Sequence, residues 1–165
     1  ASITRGDGTN DFFSIIGADT PLFWNGIPRL SSSWVTPIVI HEFCHPYINP
    51  LVAQNLETLK ESGEKLFSYN KAELTKVGCL AWDGMMNEYI VRACVIRYYH
   101  SKKNIEAIER QVRIHEDQGF TGIKAFADLF EEYEQNRDKY PNLESFMPRI
   151  AIYLEKVSAS INQGT

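Results

Sequence analysis

From residue 33 to residue 161, apolar positions recur every three or four residues between short polar breaks, the pattern of helices that bury one face. The first such stretch carries Val35, Ile38, Val39 and Ile40. Ser31, Ser32 or Ser33 can cap it, and Pro37 is expected in its first turn. Pro46 has no backbone donor and is expected to end or kink this helix soon afterwards. Asn49-Pro50 reads as a cap followed by proline at the first helical position, opening a second helix over 51–67. Asn70 with Glu73 resembles a capping box and predicts a short helix ending near Gly78. Further helices are expected over 84–102 behind Asp83, from Asn104 to Gly119, from Thr121 to before Pro141, and over 143–161.

Residues 1–33 break this pattern. They are rich in Gly, Asn, Asp, Thr and Ser, and within them 12–16 and 22–24 read as short strands. No repeat, low-complexity tract or linker divides the chain. The expected fold class is therefore mainly α (α+β): one domain over 1–165, helical, with a small N-terminal β element.

Composition adds limits. Apolar residues make up 44% and charged residues 23%, enough for one core. The net charge is −4 and no basic stripe exists, so nucleic acid is not an expected partner. No apolar run reaches the length of a membrane span. The chain opens Ala-Ser-Ile-Thr, without Met and without a signal-peptide pattern, so it is expected to be a piece of a longer precursor. Three cysteines, Cys44, Cys79 and Cys94, include no CxxC pair. They argue against a disulfide scaffold or a Cys-rich zinc finger; buried thiols are the favoured reading, with one bridge left open.

Chemistry concentrates in His41-Glu42-Phe43-Cys44-His45, which fits H-E-x-x-H. Residues i and i+4 lie on one helix face, so both imidazoles can reach a single metal. Glu42 is then near the metal without ligating it, placed to take a proton from an activated water. Zinc suits such N and O donors. The competing reading is a helix that happens to hold two histidines. The apolar run 37–40 weighs against it, because imidazoles and a carboxylate on a buried helix need a partner.

A catalytic zinc usually takes three protein ligands. Positions 48 and 51 are Ile and Leu, so the close third-histidine spacing is absent. Glu88 is the better candidate, a carboxylate within the apolar run 85–95; the alternative is an ion pair with Arg92, four residues on, and His115 is the next ligand to consider. Cys44 is expected to be a small buried side chain rather than a nucleophile. Phe126, Phe130 and Tyr133 read as a core stripe, and 131–134 as a solvated face.

H-E-x-x-H on one helix with Asn87-Glu88 on a second resembles the gluzincin metallopeptidases. The resemblance implies a zincin-like domain in which His41, His45 and Glu88 hold Zn2+ and Glu42 is the general base. Over its whole length the chain also resembles an uncharacterised bacterial family of gluzincin-like domains, through Asn49-Pro50-Leu51 and the stretch 133–141. It departs from the thermolysin type in a longer gap from His45 to Glu88, which calls for an inserted helix. It departs also in Pro46, and in Arg92 where an orienting aspartate is usual. Asn49, Asn87 and Asp83 are the candidate partners for the histidines.

Gluzincins often use a Tyr or His to stabilise the oxyanion. Tyr98, Tyr99, Tyr133, Tyr140, His115 and Arg137 could serve, with Tyr140 and Arg137 favoured because they flank a helix end. The expected function is zinc-dependent hydrolysis of a peptide or protein substrate, with the strand 12–16 able to pair with an extended peptide. A non-catalytic zinc-containing binding domain and a metal-free helical interaction module are the alternatives. The expected location is secreted or in the bacterial cell envelope. The oligomeric state is not legible.

Overall fold

A computed structural model describes residues 2–12, 23–24, 27–28 and 31–161. Among them, six α-helices follow a small β region: α1 (Ser32–Gln54), α2 (Leu56–Lys76), α3 (Trp82–Ser101), α4 (Ile105–Asp117), α5 (Ile123–Gln135) and α6 (Met147–Ile161). Strand β1 (Ser2–Thr4) pairs antiparallel with β2 (Asn10–Phe12), and β3 (Phe23–Trp24) with β4 (Ile27–Pro28). The fold is mainly α with a small N-terminal β element, as the sequence predicts. Of the expected strands, Phe12 falls in β2 and Phe23–Trp24 in β3, whereas residues 13–16 and 22 lie outside the described residues.

Helix α3 is apolar around most of its circumference, so it can be stable only with neighbours on several sides. It has them: α1, α2, α4 and α5 all pack against it, and α6 closes over α2. Met85, Met86, Ile90, Val91, Ala93, Val95 and Ile96 are consequently buried. α2 approaches the start of α3 closely at Gly63, where a Cβ would lie 2.5 Å from the Trp82 ring.

Two expected boundaries are corrected. Helix α1 does not end at Pro46 but runs through Pro46 and Pro50 to Gln54. Each proline removes one helical hydrogen bond, at a cost of about 3 kcal/mol. Ile48 and Val52 offset this by burying fully, at about 1.5–3 kcal/mol each. The chain breaks instead at Asn55, whose side-chain amide donates to Leu51 O at 2.8 Å. The helices expected over 51–67 and 70–78 are one, α2, because buried Leu59, Leu66 and Leu74 keep a single face across the expected gap. Asn70 caps nothing there; its Oδ1 accepts from Thr121 Oγ1.

Smaller shifts have similar causes. Pro37 lies beyond the first turn of α1, whose cap is Ser31. Ala81 rather than Asp83 caps α3, while Asn104 caps α4 by accepting from Ala107 N–H at 3.0 Å. Helix α5 starts after Gly122, in the left-handed region at φ 76°, and stops at Gln135, where Asn136 turns back to Glu132 O. A single 3-10 turn, Glu144–Phe146, precedes α6. No helix among the described residues is long and apolar enough to cross a membrane.

Candidate metal centre

Packing of α1 on α3 brings His41, His45 and Glu88 together. The two histidines point the same way because they are one helical turn apart. Their Nε2 atoms are 3.1 Å apart; His41 Nε2 lies 3.5 Å from Glu88 Oε2, and His45 Nε2 lies 3.3 Å from Glu88 Oε1. Three donors around a tetrahedral zinc at ordinary bond lengths stand about 3.3 Å apart. The donor set and its edges therefore fit such an ion.

Burial opposes ionisation of Glu88, but hydrogen bonds from both histidines and the charge of Arg92 outweigh it, holding the carboxyl well below its usual range. Its bond to Glu88 raises the pKa of His45 against the pull of burial. His45 Nδ1 faces Asn49 Oδ1 at 3.1 Å, so Asn49 orients this ring and fixes which nitrogen faces the cluster. Among the described residues, no hydrogen bond joins Asn87 or Asp83 to either histidine. Asn87 Oδ1 is buried without a partner, and Asp83 is exposed.

Glu88 is also paired with Arg92, at 2.9 Å. The two partners weighed for this carboxylate thus coexist. Arg92 continues the network: its NH1 donates to His115 Nδ1 at 2.8 Å and to Gln118 Oε1 at 2.6 Å, and its guanidinium lies over the Phe120 ring. Burial and the Arg92 charge push His115 down to about 3, so its imidazole is neutral. With Nδ1 accepting from Arg92, the ring proton sits on Nε2, which is buried and has no hydrogen-bond partner.

The cluster borders two clefts. The larger, about 620 Å³, is lined by His41, Glu42, Arg92, His115, Trp34 and Arg110, among others. The smaller, about 300 Å³, lies against His41 and Glu88 on the side of the loop 77–80. Glu42 is half-buried and makes no ion pair among the described residues.

Tyr140 and Arg137 line neither cleft. Tyr140 is buried, donates to Glu132 and packs edge-on against Phe146; Arg137 stacks on Tyr133 and donates to Pro141 O. Their helix-end position reflects closure of the α5–α6 turn, not a polar tip in a cleft. Cys44, Cys79 and Cys94 are free thiols; Cys79 is buried, and Cys44 and Cys94, half-buried, lie beside each other. Sequence reasoning undervalued Arg92 and overlooked Gln118 and Arg110. Arg92 left a signal, since it and Glu88 are the charged residues in the run 85–95.

No curated protein and no solved structure matches the chain. Residues 2–152 match the model of the family described as "Domain of unknown function (DUF4932)", and the chain belongs to that family.

Proposed function

We propose that this chain is a zinc-dependent peptidase in which His41, His45 and Glu88 hold the ion and Glu42 is the general base. The observation that carries this reading is the closure of three donor atoms from two helices into one triangle, beside a half-buried glutamate in a cleft. When bound, the ion would act as a Lewis acid that polarises the scissile carbonyl and acidifies water. Glu42 accepts the proton of the attacking water as its oxygen bonds to the carbonyl carbon. It then returns that proton to the amide nitrogen as the C–N bond breaks. His115 lines the same cleft, bonded through Nδ1 to Arg92, and is the residue we assign to stabilising the oxyanion that forms between these events. Asn49 keeps His45 in the ligating orientation, and Arg92 does the same for Glu88.

The test separates holding from chemistry. Elemental analysis of the purified chain should give about one zinc per molecule. Glu88→Gln should weaken zinc binding by more than about tenfold. Glu42→Gln should retain the ion yet lose peptide hydrolysis by about 100-fold or more. A chain that takes up no zinc in calorimetry would sink the reading. In that case the second reading takes over, a metal-free network in which Arg92 alone neutralises Glu88, favoured by their 2.9 Å contact.

A further inference from the structure

Ser33 and Arg110 line both the larger cleft and a neighbouring pocket of about 270 Å³. Among the described residues, no carboxylate pairs with this guanidinium, which is half-buried. Lys102 contributes a second cation, held over the Tyr98 ring at 5.4 Å. The opposite wall is the first turn of α1, with Ser32, Ser33 and Thr36. That turn contains no acidic residue, and the Ser31 side chain caps no backbone N–H, so the positive end of the helix is uncompensated. Tyr99 also lines the pocket. It is 6% exposed, and its buried hydroxyl lies beside the Arg110 guanidinium. Two cations and the uncapped first turn of α1 line one small space, with Tyr99 behind Arg110. Such a site wants a small oxyanion with several acceptor lone pairs, and a carboxylate supplies them.

We propose that this pocket is a carboxylate-binding subsite, and that the chain selects peptides placing a C-terminal carboxylate or an Asp or Glu side chain against Arg110. The inference rests on the peptidase reading of the adjacent centre, whose cleft shares Ser33 and Arg110 with this pocket. Arg110 suits the task because its planar donor fork matches a carboxylate, and its charge is permanent.

Two pairs of N-acetylated, alanine-rich hexapeptides test it. One pair differs in a free C-terminal carboxylate against an amide, the other in a central Glu against Gln. Hydrolysis by the zinc-loaded chain gives kcat/KM, and calorimetry on Glu42→Gln gives affinity without turnover. The acidic member of at least one pair should be preferred about tenfold or more, and which pair shows it identifies the source of the carboxylate. Arg110→Gln should collapse the ratio towards one, and Arg110→Lys should recover part of it. Lys139→Gln, which removes a positive charge elsewhere, should keep the ratio. An acid preference in binding that depends on Arg110, with no hydrolysis of any peptide, upholds the subsite and refutes the peptidase reading. Hydrolysis with no acid preference does the reverse. A ratio that survives Arg110→Gln, an equal fall with Lys139→Gln, or no peptide binding at all overturns the subsite.

Discussion

His115 shows how one side chain can serve a site while carrying a liability. Its burial beside Arg92 keeps the imidazole neutral, the state in which Nδ1 accepts and Nε2 donates. The unfolded chain has no such constraint and takes up a proton near the ordinary histidine pKa of 6.5. Between that value and about 3 the unfolded state binds a proton that the folded state refuses. This group therefore contributes stability above pH 6.5 that is lost as the pH falls, with a limiting slope of about 1.4 kcal/mol per pH unit. His45 has the opposite tendency. Its raised pKa stabilises the fold below the unfolded value and is lost as the pH rises through the folded one. Urea denaturation in chelator, from pH 7 to pH 4, should show a shallower acid loss in His115→Gln than in the parent chain. Identical slopes would mean that His115 titrates normally.

At the scale of the element, Gly63 marks where α2 meets α3. Elsewhere in an exposed helix, replacing glycine by alanine gains about 1 kcal/mol. Here the new methyl would sit 2.5 Å from the Trp82 ring, which has a body too large to step aside. Overpacking of this kind costs about 1–3 kcal/mol, so Gly63→Ala should lower Tm, and Trp82→Leu in the same chain should recover part of the loss. Unchanged melting would show that the helices separate at no cost. The contact was not legible in the sequence, because nothing in the spacing of Gly63 and Trp82 pairs them. The same limit explains the misplaced helix ends. Pro46 and Asn70 carry strong local signals, but burial of Ile48 and Val52 overrode the first, and the bond from Thr121 took the side chain that would have made the second. Asn104 capped as read, because no tertiary partner competed for it. The His41–His45 pair was legible for the same reason: its geometry is fixed within one helix. Glu88 was found as a charge out of place in an apolar run. That Tyr140 lies away from the clefts while His115 lines the larger one was not legible, because tertiary surroundings are not encoded in spacing.

On the whole molecule, α3 is the shared wall: it packs α1 on one side and α2, α4 and α5 on others, and it carries Glu88 and Arg92. The site therefore exists only when α1 and α4 have both docked on it. Its donors nevertheless differ in what they need. His41 and His45 meet as soon as one helix forms, whereas Glu88 joins only after a chain reversal through α2. Assembly consequently has an order. An ion proposed for the finished site can be captured first by two imidazoles on a nascent helix, rewarding helix formation before any core is built. Refolding of the metal-free chain should accelerate when stoichiometric zinc is present. His45→Ala should abolish the acceleration. Glu88→Gln should keep it while forfeiting most of the final stabilisation. Equal acceleration in all three chains would place the capture elsewhere. The i, i+4 pair would then be a device of the finished site alone; otherwise it is also the point at which metal supply in the environment sets how fast this protein comes into being.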